Sequence, residues 1–155
     1  MLRSRRPDRG RVLLLAQAPL LAASPPLELH VELDPATRRF RAQAHVSPAV
    51  RDFRFELHES LQVTAASAGG KRLRAERLDA GGPIRAWRVA LPAGAERLTL
   101  EYGGTLPALD RRLDHRGVLR GLTLMAAAEG SFLPAGGAWY PQPAPLFTYT
   151  VSLSL

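Results

Sequence analysis

The chain has 155 residues, which is the usual length of one domain, so a second full domain is not expected. Its 46% hydrophobic and 23% charged residues are typical of a globular protein and exclude a wholly disordered chain or a membrane protein with several spans. The formal net charge is +7, with 21 basic and 14 acidic residues, and the absence of cysteine excludes disulfides and thiolate metal sites.

The first 25 residues have the pattern of an export signal. Five arginines within the first eleven residues precede the apolar run Val12–Ala23, and small residues at positions 22–24 offer a cleavage site. The apolar run is too short to cross a bilayer, which needs about 20 residues. We therefore predict a leader over residues 1–25, no transmembrane span, and a protein exported to the periplasm or the cell surface. The alternatives are an amphipathic N-terminus and an over-extended gene start.

Most of the positive charge lies in this leader. Cleavage after Ala23 would remove five arginines and Asp8, leaving 16 basic and 13 acidic residues and a formal charge of +3. The remainder contains no block of basic residues with interleaved aromatics that could follow a phosphate backbone. Nucleic-acid binding is therefore not expected.

The first elements after the leader form a predicted hairpin. Apolar and polar residues alternate over 27–33 and again over 40–46, which is typical of half-buried strands, and Asp34–Thr37 forms the predicted turn between them. We expect a register that places Val31 opposite Phe40, Leu29 opposite Ala42, and Glu32 opposite Arg39. In this register apolar residues lie opposite each other on one face of the hairpin, and Glu32 lies opposite Arg39 on the other.

The same alternation recurs further along the chain, over residues 53–57, 61–65, 87–91, 98–102 and 147–155, and more weakly over 74–78 and 117–125. No segment shows a sustained helical period. We predict an all-β fold, an antiparallel β-sandwich of seven or eight strands over residues 26–155, with Trp87 in its core. Because the alternation continues to Leu155, we expect the sandwich to be truncated at its C-terminal end.

The polar residues do not form a recognisable catalytic pattern. In the predicted register His30 faces Arg41 and His45 lies four positions farther on, about 13 Å at 3.3 Å per residue, so the two cannot share a metal ion. We interpret the four histidines as surface residues of strands. Ser131 does not lie in a G-x-S-x-G nucleophile motif. Asp114 and His115 are neighbours in the sequence, but this does not orient one side chain toward the other as a catalytic triad requires.

The segment from Gly136 to Pro143 contains two neighbouring large aromatic residues, Trp139 and Tyr140, in a loop bounded by glycine and proline. Exposing such side chains to water is unfavourable. They are therefore expected either to cover one end of the sandwich core or to contact a partner.

Several segments in order resemble the N-terminal β-domain of aminopeptidase N-like zinc metallopeptidases, especially the exported bacterial members. The segments are Leu29–Thr37, Leu91–Tyr102, Phe132–Gly137, Trp139–Pro141 and the closing strand. The resemblance extends over nearly the whole chain after the leader, from about Pro26 to Leu155.

The resemblance implies a saddle-shaped β-domain that precedes a thermolysin-like catalytic domain with zinc bound by an H-E-x-x-H helix. This sequence contains neither H-E-x-x-H nor the G-x-M-E-N segment of the family. We therefore expect no catalytic residue, metal or cofactor on this chain, the zinc belonging to the catalytic domain. In the family, a loop of the β-domain contributes one acidic or amide side chain to substrate binding. Glu129 lies nearest to that place, and the alternative is a loop carboxylate without a role.

We accordingly predict a non-catalytic β-domain that packs on a catalytic domain and helps to shape its cleft. The predicted contact residues are Trp139, Tyr140, Pro141, Leu146 and Phe147. The alternative is a free-standing exported sandwich that uses the same loop for adhesion, binding a protein or a carbohydrate.

Overall fold

The structure is a computed structural model that describes residues 26–48, 50–78, 81–110 and 124–155. These residues form eleven strands and one 3-10 helix: β1 (Leu27–Asp34), β2 (Arg39–Val46), β3 (Asp52–His58), β4 (Leu61–Ala68), β5 (Lys71–Arg72), β6 (Ala75–Arg77), β7 (Ile84–Ala90), β8 (Leu98–Thr105), β9 (Met125–Ala127), β10 (Gly130–Phe132), the 3-10 helix Ala135–Gly137 and β11 (Tyr149–Ser154). The prediction of an all-β fold is confirmed. The predicted leader and most of the predicted strand 117–125 lie outside the described residues. Within those residues, no helix is long and apolar enough to span a membrane.

The strands form three sheets. The largest has six strands in the order β11-β1-β2-β8-β4-β5, the second has three in the order β3-β7-β6, and β9 pairs with β10. All strand pairs are antiparallel except β1 with β11, which is parallel. The prediction of an antiparallel β-sandwich is confirmed, with one parallel pair at this edge. A parallel pair requires a long crossover, and here most of the chain lies between the two strands.

The core lies between the six-stranded and three-stranded sheets. The larger sheet contributes Phe40, Leu100 and Tyr102, and the smaller one contributes Phe55 and Trp87. Trp87 is therefore in the core, as predicted. This arrangement of two sheets over one apolar layer is a sandwich, which explains the period of two along nearly every strand.

The β1–β2 hairpin has a different register from the predicted one. Val31 pairs with Ala42, Leu29 with Ala44, and Glu32 with Arg41, a shift of two residues that leaves every side chain on its predicted face. The predicted register required a two-residue loop with Pro35 in its first position. Such loops need a positive φ there, and the proline ring fixes φ near −65°.

The observed loop has four residues, Pro35 to Arg38, between the paired ends Asp34 and Arg39. The Asp34 carboxylate accepts hydrogen bonds from the backbone N–H of Ala36 at 3.0 Å and from the Thr37 hydroxyl at 2.6 Å. The Thr37 bond holds the pKa of Asp34 below its ordinary value. Arg38 closes the loop with φ of 60°, and its guanidinium donates to the carbonyl of Leu106.

The centre of the large sheet depends on a close approach between β4 and β8. A Cβ atom added to Gly104 would lie 1.8 Å from the carbonyl oxygen of Ser60. No side chain fits in that space, so glycine is required for β8 to lie against the start of β4.

Candidate interaction surface

The Trp139 loop, residues 135–141, covers one end of the core. The backbone N–H of His58 donates to the carbonyl of Ala138 at 2.7 Å, and the Tyr102 hydroxyl donates to the carbonyl of Trp139 at 3.1 Å. Pro141 is completely buried. The loop is therefore held by hydrogen bonds from both sheets.

An aromatic row runs from this loop to the edge of the large sheet. Its ring centroids lie 4.7 Å apart between Trp139 and Tyr140, 6.3 Å between Tyr140 and Phe147, and 6.0 Å between Phe147 and Tyr149. The first three rings are half-buried, and Tyr149 is 61% exposed. The exposure of the rings therefore increases from the Trp139 loop to the edge of the sheet.

The row continues into the β11 face, which consists of the side chains of Tyr149, Val151, Leu153 and Leu155. Val151 is 39% exposed and Leu153 is 54% exposed. These side chains lie on the same face of the sheet as the core residues of β1, because Val151 pairs in register with Leu29. Leu146, just before the strand, is 93% exposed. The result is a contiguous apolar surface at the sheet edge.

A cavity of about 170 Å³ opens between the Trp139 loop and β11. Its walls include Leu29, Leu133, Tyr140 and Val151, all apolar or aromatic. The indole N–H of Trp139 is buried nearby in the protein without a hydrogen-bond partner. The surface is therefore indented as well as apolar, which is the shape that receives a side chain from another polypeptide.

The predicted contact residues differ in placement. Trp139, Tyr140 and Phe147 form the half-buried part of the aromatic row, Leu146 is exposed, and Pro141 belongs to the core cover. The loop therefore covers one end of the core, and its contact with a partner stays a prediction. The β11 face itself was missed as a surface. The run from Leu146 to Leu155 alternates and contains no charged residue, which is equally typical of a strand buried in a core.

Glu129 lies in the turn between β9 and β10 and is exposed to solvent. A turn between two short strands places a carboxylate on the surface without burying its charge. Its role in substrate contact stays a prediction.

Two titratable residues beneath the Trp139 loop, His58 and Tyr102, help to hold the loop in place. Burial lowers the pKa of His58, and the backbone N–H of Ser60 donates to its Nδ1 at 3.1 Å, which requires that nitrogen to be unprotonated. Burial also raises the pKa of the Tyr102 hydroxyl, which is fully occupied as a donor to the loop. Both groups are therefore held neutral near pH 7 and maintain the loop anchor. The interpretation of His58 as a surface histidine was wrong.

The zinc centre that the resemblance implies does not fit these residues. A catalytic zinc ion needs three protein ligands around one position. The sequence has no H-E-x-x-H segment, and the described part of the chain contains no group of three or more histidine, cysteine or acidic residues placed to hold a metal ion.

Comparison with known proteins gives a likeness of fold. No protein-family model matches the chain, and no curated protein matches it. A mutant M1 zinc metallopeptidase from Deinococcus radiodurans superposes with a TM-score of 0.54 at 19% identity, covering 82% of this chain and 30% of that one. The same mutant bound to a Tyr-Ser-Ala substrate gives 0.53 at 20% identity over the same shares. A two-domain M1 zinc metallopeptidase mutant bound to L-tryptophan gives 0.51 at 18% identity, over 82% and 31%.

These structures confirm, at the level of fold, the resemblance expected from the sequence. The share of each M1 structure that is covered shows that the chain corresponds to one part of such a protein. The chain has a fold similar to that of the N-terminal part of M1 zinc metallopeptidases and spans about 30% of their length.

Proposed function

We propose that this chain is the non-catalytic N-terminal β-domain of an exported zinc metallopeptidase-like protein, and that it packs on a thermolysin-like catalytic domain and helps to shape its substrate cleft. The observation that carries the proposal is the combination of an M1-like fold with an uncovered apolar surface at one sheet edge. The likeness of fold supports this kind of partner, and the apolar surface supports packing at this sheet edge.

The chemistry of the surface supports packing against another polypeptide. Apolar residues with aromatic anchors and a nearby indentation are typical of the centre of a stable interface. The outer face of the three-stranded sheet is different, since it carries ion pairs from Arg88 to Asp52 and to Glu76. Charged faces of that kind are suited to water, so we assign the contact to the aromatic row and the β11 face.

The resemblance adds a role for Glu129 within this proposal. An exposed carboxylate on a tight turn can reach across a domain boundary and accept a hydrogen bond from a positively charged amino group. We propose that Glu129 faces the cleft and contacts the free amino group of a peptide substrate. Its contribution requires the catalytic domain and its zinc.

The proposal is tested by supplying the catalytic half. The DNA directly downstream should be read for an H-E-x-x-H segment, and the polypeptide it encodes should be expressed with a tag beside this chain. We expect the two polypeptides to co-purify and to hydrolyse an aminoacyl chromogenic substrate together with zinc. This chain alone should show no turnover.

The contact surface is tested by the double variant Val151→Ser and Leu153→Ser, which should lose co-purification. Leu78→Ser is a matched control, because Leu78 is also a partly exposed large apolar residue but follows the three-stranded sheet. Zinc-dependent turnover by this chain alone, or co-purification that survives the double substitution, would contradict the proposal. A downstream region without the motif would favour the adhesion alternative.

A further inference from the structure

Two histidines lie side by side on the outer face of the six-stranded sheet. His30 is on β1 and His45 on β2, and both alternate with core residues, so both point away from the apolar layer. His30 pairs with Gln43 in the observed register, which makes His45 its diagonal neighbour across the two strands. The sequence-based separation of about 13 Å depended on the wrong register and is corrected here.

The two rings are close enough to bind one metal ion. Their centroids are 6.0 Å apart with an angle of 78° between the ring planes. Each ring centroid lies about 3 Å from a metal that the ring binds, so two rings on one tetrahedral ion have centroids about 5 Å apart. His30 is exposed, and a small rotation of its side chain closes the remaining distance of about 1 Å.

Neighbouring groups orient His45 for this task. Its Nδ1 lies 3.0 Å from the hydroxyl oxygen of Thr99, and donation of the Nδ1 proton to that oxygen leaves the Nε2 lone pair free. Metal-bound histidines commonly have such a hydrogen bond on the second nitrogen. Burial, and then the charge of Arg97, lower the pKa of His45, which favours the neutral ring that a metal requires. Glu28 faces the same ring and pairs with Arg97, so little net charge remains beside it.

We propose that His30 and His45 together bind one divalent transition-metal ion through one imidazole nitrogen each, with water completing the coordination. Imidazole nitrogen suits Cu²⁺, Zn²⁺ and Ni²⁺, and the general order of stability places Cu²⁺ first. Mg²⁺ and Ca²⁺ prefer oxygen ligands and do not bind at this pair. The ion links β1 to β2 directly beside β11, and it therefore stabilises the strand on which the β11 face rests.

The site is tested by titrating the full chain with CuCl₂ and, separately, with ZnCl₂, using calorimetry for binding and circular dichroism for the melting temperature. We expect one ion per chain, tighter for Cu²⁺ than for Zn²⁺, and a higher melting temperature because the ion binds the folded state. MgCl₂ should produce neither effect. His30→Gln should abolish both, and its exposed position means that the fold is retained. Thr99→Val should weaken binding about tenfold by releasing the His45 ring.

His115→Gln is the matched control, since it removes another histidine from the chain and should leave binding unchanged. The proposal is overturned if the original chain shows no saturable binding of either ion. It is also overturned if His30→Gln binds an ion as tightly as the original chain, because the ion then lies elsewhere.

Discussion

β1 and β11 are neighbouring strands with the same sequence pattern and opposite burial. Both alternate apolar and polar residues, and they pair in register, so that Val31 lies beside Leu153 on one face of one sheet. The apolar side chains of β1 are almost completely buried, whereas Leu153 is 54% exposed. The difference arises because the three-stranded sheet and the Trp139 loop cover β1, and no described element covers the outer part of β11. Alternation therefore identifies the apolar face of a strand without identifying what covers it.

The two strands should differ most in the free energy of unfolding that is lost when one leucine in each is replaced by alanine. Leu29→Ala in β1 removes a fully buried side chain and should lower the free energy of unfolding by about 2–5 kcal/mol. Leu153→Ala in β11 should cost no more than about 0.5 kcal/mol, because water already reaches that side chain. Urea denaturation measures both. Equal costs would mean that β11 is covered in solution.

The centre of the large sheet can be compared with an open loop by substituting one glycine in each. Gly104→Ala should destabilise the protein by about 1–3 kcal/mol or more, because the added methyl group meets the Ser60 carbonyl between β4 and β8. Gly81→Ala is the control, since a Cβ atom there meets nothing within 4 Å. Thermal melting of the two variants gives the comparison. An unchanged melting temperature for Gly104→Ala would contradict the close approach.

The covered end of the core should give the protein a pH-dependent stability. Burial lowers the pKa of His58 in the folded protein below its ordinary 6.5, so the unfolded chain binds more protons below that pH. The free energy of unfolding should therefore fall as the pH drops below about 6.5. Urea denaturation at a series of pH values measures the slope. His58→Gln should show a shallower slope, and an unchanged slope would show that His58 is not the group responsible.

Adding a charge to β11 should change the free energy of unfolding least, but it should clearly reduce association between copies of the chain. An uncharged edge strand with exposed apolar residues favours pairing between chains. Val151→Lys should reduce concentration-dependent association in light scattering while changing the free energy of unfolding by about 0.5 kcal/mol or less. The control is Leu78→Lys, which adds the same charge away from the edge. Equal reduction by both variants would assign the effect to net charge and not to the strand.

Much of the fold could be predicted because strand faces depend on local pattern. The alternation around Phe53 and Phe55 and around Trp87 correctly predicted strands with buried residues on one face. The predicted register of the β1–β2 hairpin was wrong. It implied a two-residue loop, which the fixed φ of Pro35 does not allow. That single shift also separated His30 from His45, so the candidate metal site could not be found from the sequence.

The candidate interaction surface was predicted only in part. Trp139 and Tyr140 were recognised because large aromatics between glycine and proline are rare in a solvated loop. The sequence contained no indication that His58 and Tyr102 hold this loop, because hydrogen bonds to backbone carbonyls have no pattern along the chain. The exposure of β11 could not be predicted either, since its residues resemble those of a core strand.

The amino-acid sequence alone determined the all-β class, the inward and outward faces of most strands, and the absence of an H-E-x-x-H segment. These properties depend on composition and on neighbours along the chain, which the sequence contains directly. The tertiary structure decided the register of the first hairpin, the parallel pairing of β1 with β11, the meeting of His30 with His45 and the exposure of the β11 face. Each of these depends on which distant segment lies alongside a strand, and that choice is made by the free energy of packing the whole domain.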